Sequence, residues 1–315
     1  MIVRKGTILW RALSSDWPAL LYFLGLSLAA EWGYEYTQLK HTALPLVPLS
    51  VLITAMSIFL GFQINQCYER WWEARGLWGQ LVNVSRSFGR QATTLLTSDR
   101  IATIADESQA AGLQRELVHR QIAYVNSLRI ALRSGGELSE QDWRSLGEWL
   151  DPREIAQLQH ARNIPAQLVQ RQAERLAALI GNSVAEQQIL LQFDESLNHL
   201  YDIQGGCERI KRTAYPDRFR FHTHMFVWLV ATVIPFSLIE IDKTFDVIAI
   251  ITETLLAFVF VTIERLGSEL RDPFENRAND TPMSALCRTM EIDLRQQLGE
   301  TEVPLPLQPV KGVLM

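Results

Sequence analysis

Two long stretches of the chain carry no Asp, Glu, Lys or Arg, and they lie toward opposite ends: Thr42 to Cys67 and Phe221 to Ile239. A third apolar run, Val247 to Ile263, holds a single acid, Glu253. A shorter one, Trp17 to Ala30, is bracketed by Asp16 and Glu31. A hydrocarbon core of about 30 Å takes about 20 helical residues. The runs around 44–68, 221–239 and 247–263 meet or approach that length. The first is short, but Trp10, Trp17, Trp32, Tyr34 and Tyr36 stand near its ends, where aromatic side chains favour the membrane interface. It is expected to span, with an interfacial helix as the alternative.

Between the second and third runs the pattern changes. From Arg86 to Arg220 the chain is dense in charge, and apolar residues recur at helical spacing. Leu176, Leu179 and Ile180 make one such set; Leu190, Phe193, Leu197 and Leu200 make another. Strong helix formers dominate and no useful β-alternation appears. Breaks are expected at Ser134–Gly136, Asp151–Pro152, around Pro165 and at Gly205–Gly206. After Glu264 the chain is charged again and predicted helical to about Leu298. A tail with Pro304, Pro306 and Pro309 is predicted extended.

The expected fold is therefore all-α: a membrane protein with four transmembrane helices and a large helical cytoplasmic region. Its expected segments are 1–68 with the first two spans, 69–220 cytoplasmic, 221–264 with the last two spans, and 265–315 as a C-terminal helix and tail. Basic residues set the orientation. Arg4, Lys5 and Arg11 precede the first span, Arg70, Arg75, Arg86 and Arg90 follow the second, and Lys211, Arg212, Arg218 and Arg220 precede the third. The opposite connectors carry only Lys40 and Lys243 among their basic residues. Both termini are thus expected in the cytoplasm, with the protein in the cell inner membrane and lipid as a partner.

The 315 residues are 48% hydrophobic and 21% charged, averages that hide this segregation. The net charge of −5 argues against a nucleic-acid surface. Three dispersed cysteines, Cys67, Cys207 and Cys287, fit a reducing compartment better than a disulfide framework. The N-terminus has a basic start but no cleavage site of a signal peptide.

Catalytic patterns are missing, so no enzyme, metal site or cofactor is expected. His222 and His224 lie two apart, on different faces of a helix, and suit an interfacial pair better than a metal. In the second span Thr54, Ile58 and Phe62 stand four apart and share a helical face. That periodicity fits a helix–helix or lipid face. It also fits a hydrophobic constriction, if several copies surround one axis. Gln63, Asn65 and Gln66 would then line a wetter vestibule. Glu253 is an ionisable group within a span and so a functional candidate, or a carboxyl bonded to a neighbouring helix. In the cluster Arg70-Trp71-Trp72-Glu73-Ala74-Arg75, Glu73 is available as a local ion-pair partner.

Several blocks resemble the bestrophin family in its bacterial branch. Gly61-Phe62 is followed by Tyr68-Glu69-Arg70-Trp71-Trp72-Glu73-Ala74-Arg75-Gly76-Leu77-Trp78-Gly79. Gly205-Gly206-Cys207-Glu208-Arg209 precedes the third span, and Glu269-Leu270-Arg271-Asp272-Pro273-Phe274 follows the fourth. Asn279-Asp280-Thr281-Pro282 then leads into a helix with Cys287-Arg288-Thr289. The resemblance covers about residues 1–298 and ends at the tail.

The resemblance implies a homopentameric ion channel that passes monovalent ions through one central pore. Its hydrophobic neck carries over to Thr54, Ile58 and Phe62, with Thr54 where a more apolar residue is usual. A second restriction at the cytoplasmic exit carries over, by spacing from Gly205-Gly206, to Gln188 or Ile189. If packing claims Ile189, which recurs with Phe193 and Leu197, Gln188 faces the pore as a ring of amides; if Ile189 faces it instead, the ring is apolar and discriminates more by ion hydration. Animal members carry a calcium clasp of consecutive acids after the Pro-Phe motif; here the run reads Glu275-Asn276-Arg277-Ala278-Asn279-Asp280, and no calcium site is expected. A membrane-anchored helical scaffold or sensor, and an intramembrane enzyme using Glu253 or the histidines, are the competing readings.

Overall fold

The computed structural model describes residues 6–36, 46–213, 217–237, 246–310 and 312–315. Ten α-helices form among them: α1 (Gly6–Tyr36), α2 (Leu46–Leu95), α3 (Glu107–Ser134), α4 (Glu140–Gly147), α5 (Pro152–Leu158), α6 (Ile164–Leu179), α7 (Val184–Arg212), α8 (Asp217–Val233), α9 (Val247–Leu270) and α10 (Met283–Gln297). A 3-10 turn, Ile234–Phe236, follows α8. Among the described residues the sole β feature is an isolated bridge between Val310 and Val313. The fold is all-α.

Local chemistry explains most boundaries. Asp106 caps α3 by accepting from the Gln109 amide at 2.8 Å, and Gly135 ends it in a left-handed conformation, φ 74°. Ser139 with Asp142, and Ser183 with Glu186, form capping boxes at α4 and α7. Asp151-Pro152 and Asn163 with Pro165 start α5 and α6, with proline in a first turn that needs no N–H from it.

Two expectations fail. Gly205–Gly206 does not break the chain: α7 runs through it without interruption. A Cβ on Gly206 would lie 2.9 Å from Leu77 Cδ1, so the glycine serves close approach of α7 to α2 rather than a turn. Nor is the chain helical from Glu264 to Leu298. Residues 271–282 form a loop between α9 and α10, bounded by Pro273 and Pro282 and closed by the Thr281 amide on the Pro273 carbonyl at 3.1 Å.

The chain forms two compact units. The first comprises Trp72–Thr213 and Pro273–Met315. Its core draws Trp78, Leu81 and Phe88 from α2, Leu117 and Tyr124 from α3, Phe193 and Leu200 from α7, and Met290 and Leu294 from α10. Phe88 and Phe193 meet edge to face, centroids 5.5 Å apart. Some buried polar groups here are bonded to one another: Gln121 donates to Ser85 Oγ at 3.0 Å, and Arg120 grips Glu154 with two bonds of 2.8 and 3.0 Å. The tail after α10 is tied to this unit by Arg295 on the Glu302 carbonyl and by the Ala285 amide on the Met315 carbonyl.

The second unit comprises the described residues of Ile2–Trp71 and Ala214–Asp272. α1, the first half of α2, α8 and α9 share a core of Phe23, Met56, Leu60, Val227, Val230, Ala231, Ala257 and Phe260. Two of the described helices are long and apolar enough to cross a membrane, over Val47–Leu95 and Val247–Leu270. Arg4, Lys5 and the two connectors with Lys40 and Lys243 lie outside the described residues, as does the end of the expected third span at residues 238–239.

Candidate ion pore

α2 divides the second unit's surface sharply. Leu49, Met56, Leu60, Gln63 and Cys67 are buried on one side of the helix. Thr54, Ile58 and Phe62 are exposed on the other, Ile58 at 57% and Phe62 at 67%. The predicted stripe therefore lies on one face that the described residues leave exposed. Large apolar side chains exposed in a row need another apolar or dewetted environment. The Thr54 hydroxyl donates to the Ser50 carbonyl at 2.8 Å, and Ser57 does the same to Ile53 at 2.9 Å. Bonding back to the helix occupies the Thr54 hydroxyl hydrogen.

The three amides one turn along separate. Gln63 is buried against its own unit, so it is not part of a vestibule with the other two. Asn65 and Gln66 are exposed, and Asn65 donates to Glu69 Oε1 at 2.8 Å.

At the second candidate position the capping box fixes the phase of α7. With Ser183 as N-cap, Glu186 accepts from its hydroxyl at 2.6 Å and from the Ala102 amide at 3.0 Å. The Ser183 hydroxyl bond, more than any other contact, holds the Glu186 carboxyl below the ordinary range. This phase leaves Ile189 8% exposed in the core with Phe193 and Leu197, and turns Gln188 outward. Val184 and Leu191 are exposed near it, at 78% and 67%.

The remaining candidates are placed as follows. Glu253 is fully buried. The Ser27 hydroxyl and the acids Glu31 and Asp246 are polar groups near it among the described residues. His222 meets the Arg218 carbonyl at 2.6 Å and His224 meets Glu264 Oε2 at 3.3 Å. Among the described residues no group of three or more His, Cys, Asp and Glu gathers as a metal site. Glu73 does not serve its own Arg–Trp cluster: it pairs with Arg209 of α7, 136 residues away. Periodicity carries no sign of that pairing, since both residues lie on exposed faces.

Known proteins bear on this arrangement. A family model described as Bacterial/Fungal Bestrophin protein matches residues 2–296. The chain is 31% identical over 310 residues to the voltage-dependent anion channel-forming protein YneE of Escherichia coli K12, covering 98% of this chain and 94% of that one. It is 29% identical over 300 residues to the voltage-dependent anion channel-forming protein RSc3414 of Ralstonia nicotianae, covering 95% and 91%. Among solved structures, a bacterial bestrophin homologue from Klebsiella pneumoniae superposes with a TM-score of 0.77 at 25% identity, covering 90% of this chain and 98% of that one.

Proposed function

Because this chain belongs to the bacterial and fungal bestrophin family, we propose that it is a homopentameric channel that passes monovalent ions passively across the cell inner membrane. It is a membrane protein of a family whose curated relatives are named as anion channels, and anions are the permeant class proposed for it. The observation that carries the reading is the uncovered face of α2. Five copies arranged with Thr54, Ile58 and Phe62 toward a common axis give three stacked rings, spread over about 12 Å at 1.5 Å per residue. Rings of Ile and Phe bar ions by dewetting rather than by charge. None of the three side chains is charged, so the neck sets conductance and leaves the sign of the ion to be chosen elsewhere.

Gln188 is the proposed exit restriction. Its neighbour Ile189 is committed to the core of its own unit, so five amides rather than five sec-butyl groups form the ring. The proposed topology has four spans, α1, the first half of α2, α8 and α9, with both termini cytoplasmic.

Mass measurement of the protein in native-like lipid, paired with ion flux from liposomes, tests the reading. Five copies of the 36.0 kDa chain and flux without added substrate are expected. A monomer or dimer, or a pentamer with no flux, would instead favour an anchored scaffold.

A further inference from the structure

In the first unit a cavity of about 110 Å³ lies between the end of α3, the start of α6 and the last turns of α7. Leu128, Leu132, Leu138 and Ile164 make part of its wall apolar; Arg162, Lys211 and Arg212 make another part cationic. Glu208 is the one acid among the lining residues.

The three cations are not equivalent. Lys211 Nζ is 2.6 Å from Glu275 Oε1, and Arg212 is 3.4 Å from Glu208 Oε2. The other Glu208 oxygen accepts from Asn163 at 3.0 Å and from Gln204 at 2.7 Å. Arg162 has no ion pair or hydrogen bond among the described residues. The 16-residue helix α6 begins at the same wall, with Asn163 as its N-cap, and its positive end adds to the cationic side.

A cavity lined by apolar residues and by an exposed arginine without a partner among the described residues is complementary to an anion that carries a short hydrocarbon body. Size narrows the choice. An apolar cavity of about 150 Å³ holds benzene, with six carbons. A cavity of 110 Å³ therefore takes about four such atoms, enough for the carbon chain of a short carboxylate whose oxygens lie at the exposed Arg162. We propose that it binds a short-chain monocarboxylate of the size of propionate or butyrate. The carboxylate sits on Arg162 and the alkyl end on Leu128 and Leu132. The site does not depend on the channel reading, because binding requires no conduction.

Saturation-transfer NMR on the purified full-length protein, with butyrate as the probe, tests this. Transfer to the butyrate methyl protons is expected. Arg162→Gln should weaken binding about tenfold or more, as for a lost charge-assisted bond. Ala131→Leu, which adds bulk to the half-buried cavity wall, should abolish transfer without touching any cation. Inorganic phosphate at the same concentration should not displace butyrate. No transfer at about 50 mM butyrate, equal transfer in both variants, or displacement by phosphate would each overturn the proposal.

Discussion

Glu73 of α2 pairs with Arg209 of α7, and one turn further along α2 the Leu77 side chain lies 2.9 Å from where a Cβ on Gly206 would be. The two contacts join the Arg-Trp-Trp-Glu and Gly-Gly-Cys-Glu-Arg blocks. They are not equal in weight. Both ion-pair side chains are about half exposed or more, and such pairs are worth about 0–1 kcal/mol. The close approach at Gly206 admits no larger residue without rearrangement.

Helix α7 passes through Gly205, where an added methyl group would meet nothing within 4 Å, so Gly205→Ala should raise stability by up to about 1 kcal/mol. Gly206→Leu should lower it by about 1–3 kcal/mol through overpacking against Leu77. Thermal unfolding of the detergent-solubilised protein separates the two. A loss with Gly205→Ala would mean the chain needs a break there.

Gln188 and Ile189 are adjacent but should respond differently. Ile189→Ala removes a core side chain and should cost about 2–5 kcal/mol. Gln188→Ala should stay within about 0.5 kcal/mol of the parent, as exposed positions do. Relative permeability across ions of differing size should change with Gln188→Ala. No change would place the exit restriction elsewhere on the chain.

The capping box that orients Gln188 has a pH signature. The folded chain holds the Glu186 carboxyl below its ordinary value of 4.5, so the unfolded chain binds the proton more tightly. This contribution to stability is present above that value and is lost as pH falls through the folded value. Ser183→Ala should lower Tm by roughly 2–4 °C at neutral pH and flatten the acid limb. An unaltered acid limb in a Tm-against-pH series would contradict the assignment.

Calcium should not switch the channel at micromolar concentration. Glu275 is engaged by Lys211, and Asp280 is buried with one oxygen on the Arg277 amide at 2.9 Å. Burial raises the Asp280 carboxyl above its ordinary range, which weakens it as a ligand for a cation that wants six to eight oxygens. Bilayer recordings with and without calcium check this, and opening on calcium addition would contradict it.

How much of this is legible in the sequence depends on the range of the interaction. Caps at Asp106, Ser139, Asp151 and Ser183 are local chemistry; of the helix starts, those at Asp151–Pro152 and around Pro165 are the ones the chain pattern predicts. The stripe Thr54, Ile58 and Phe62 is a matter of period, and the structure places all three on one uncovered face. Gly205–Gly206 misleads because a glycine that lets two helices touch looks the same in sequence as one that ends a helix. Glu73 with Arg209, and the loop 271–282, depend on residues distant in the chain or on paired prolines, which helix propensity alone does not weigh.

The proposed neck is open to a direct perturbation. Ile58→Ala with Phe62→Ala should widen the constriction, lower the dewetting barrier and raise single-channel conductance, with little change in ion preference. Unchanged conductance in a protein that stays pentameric would make the stripe a packing or lipid face.

Whether this chain forms an ion-selective pore is decided by the reversal potential of the purified protein in a planar bilayer under a salt gradient. Current is expected without added substrate, reversing near the anion equilibrium potential. Reversal near the cation equilibrium potential would contradict the proposed selectivity, and absence of current would contradict the channel itself.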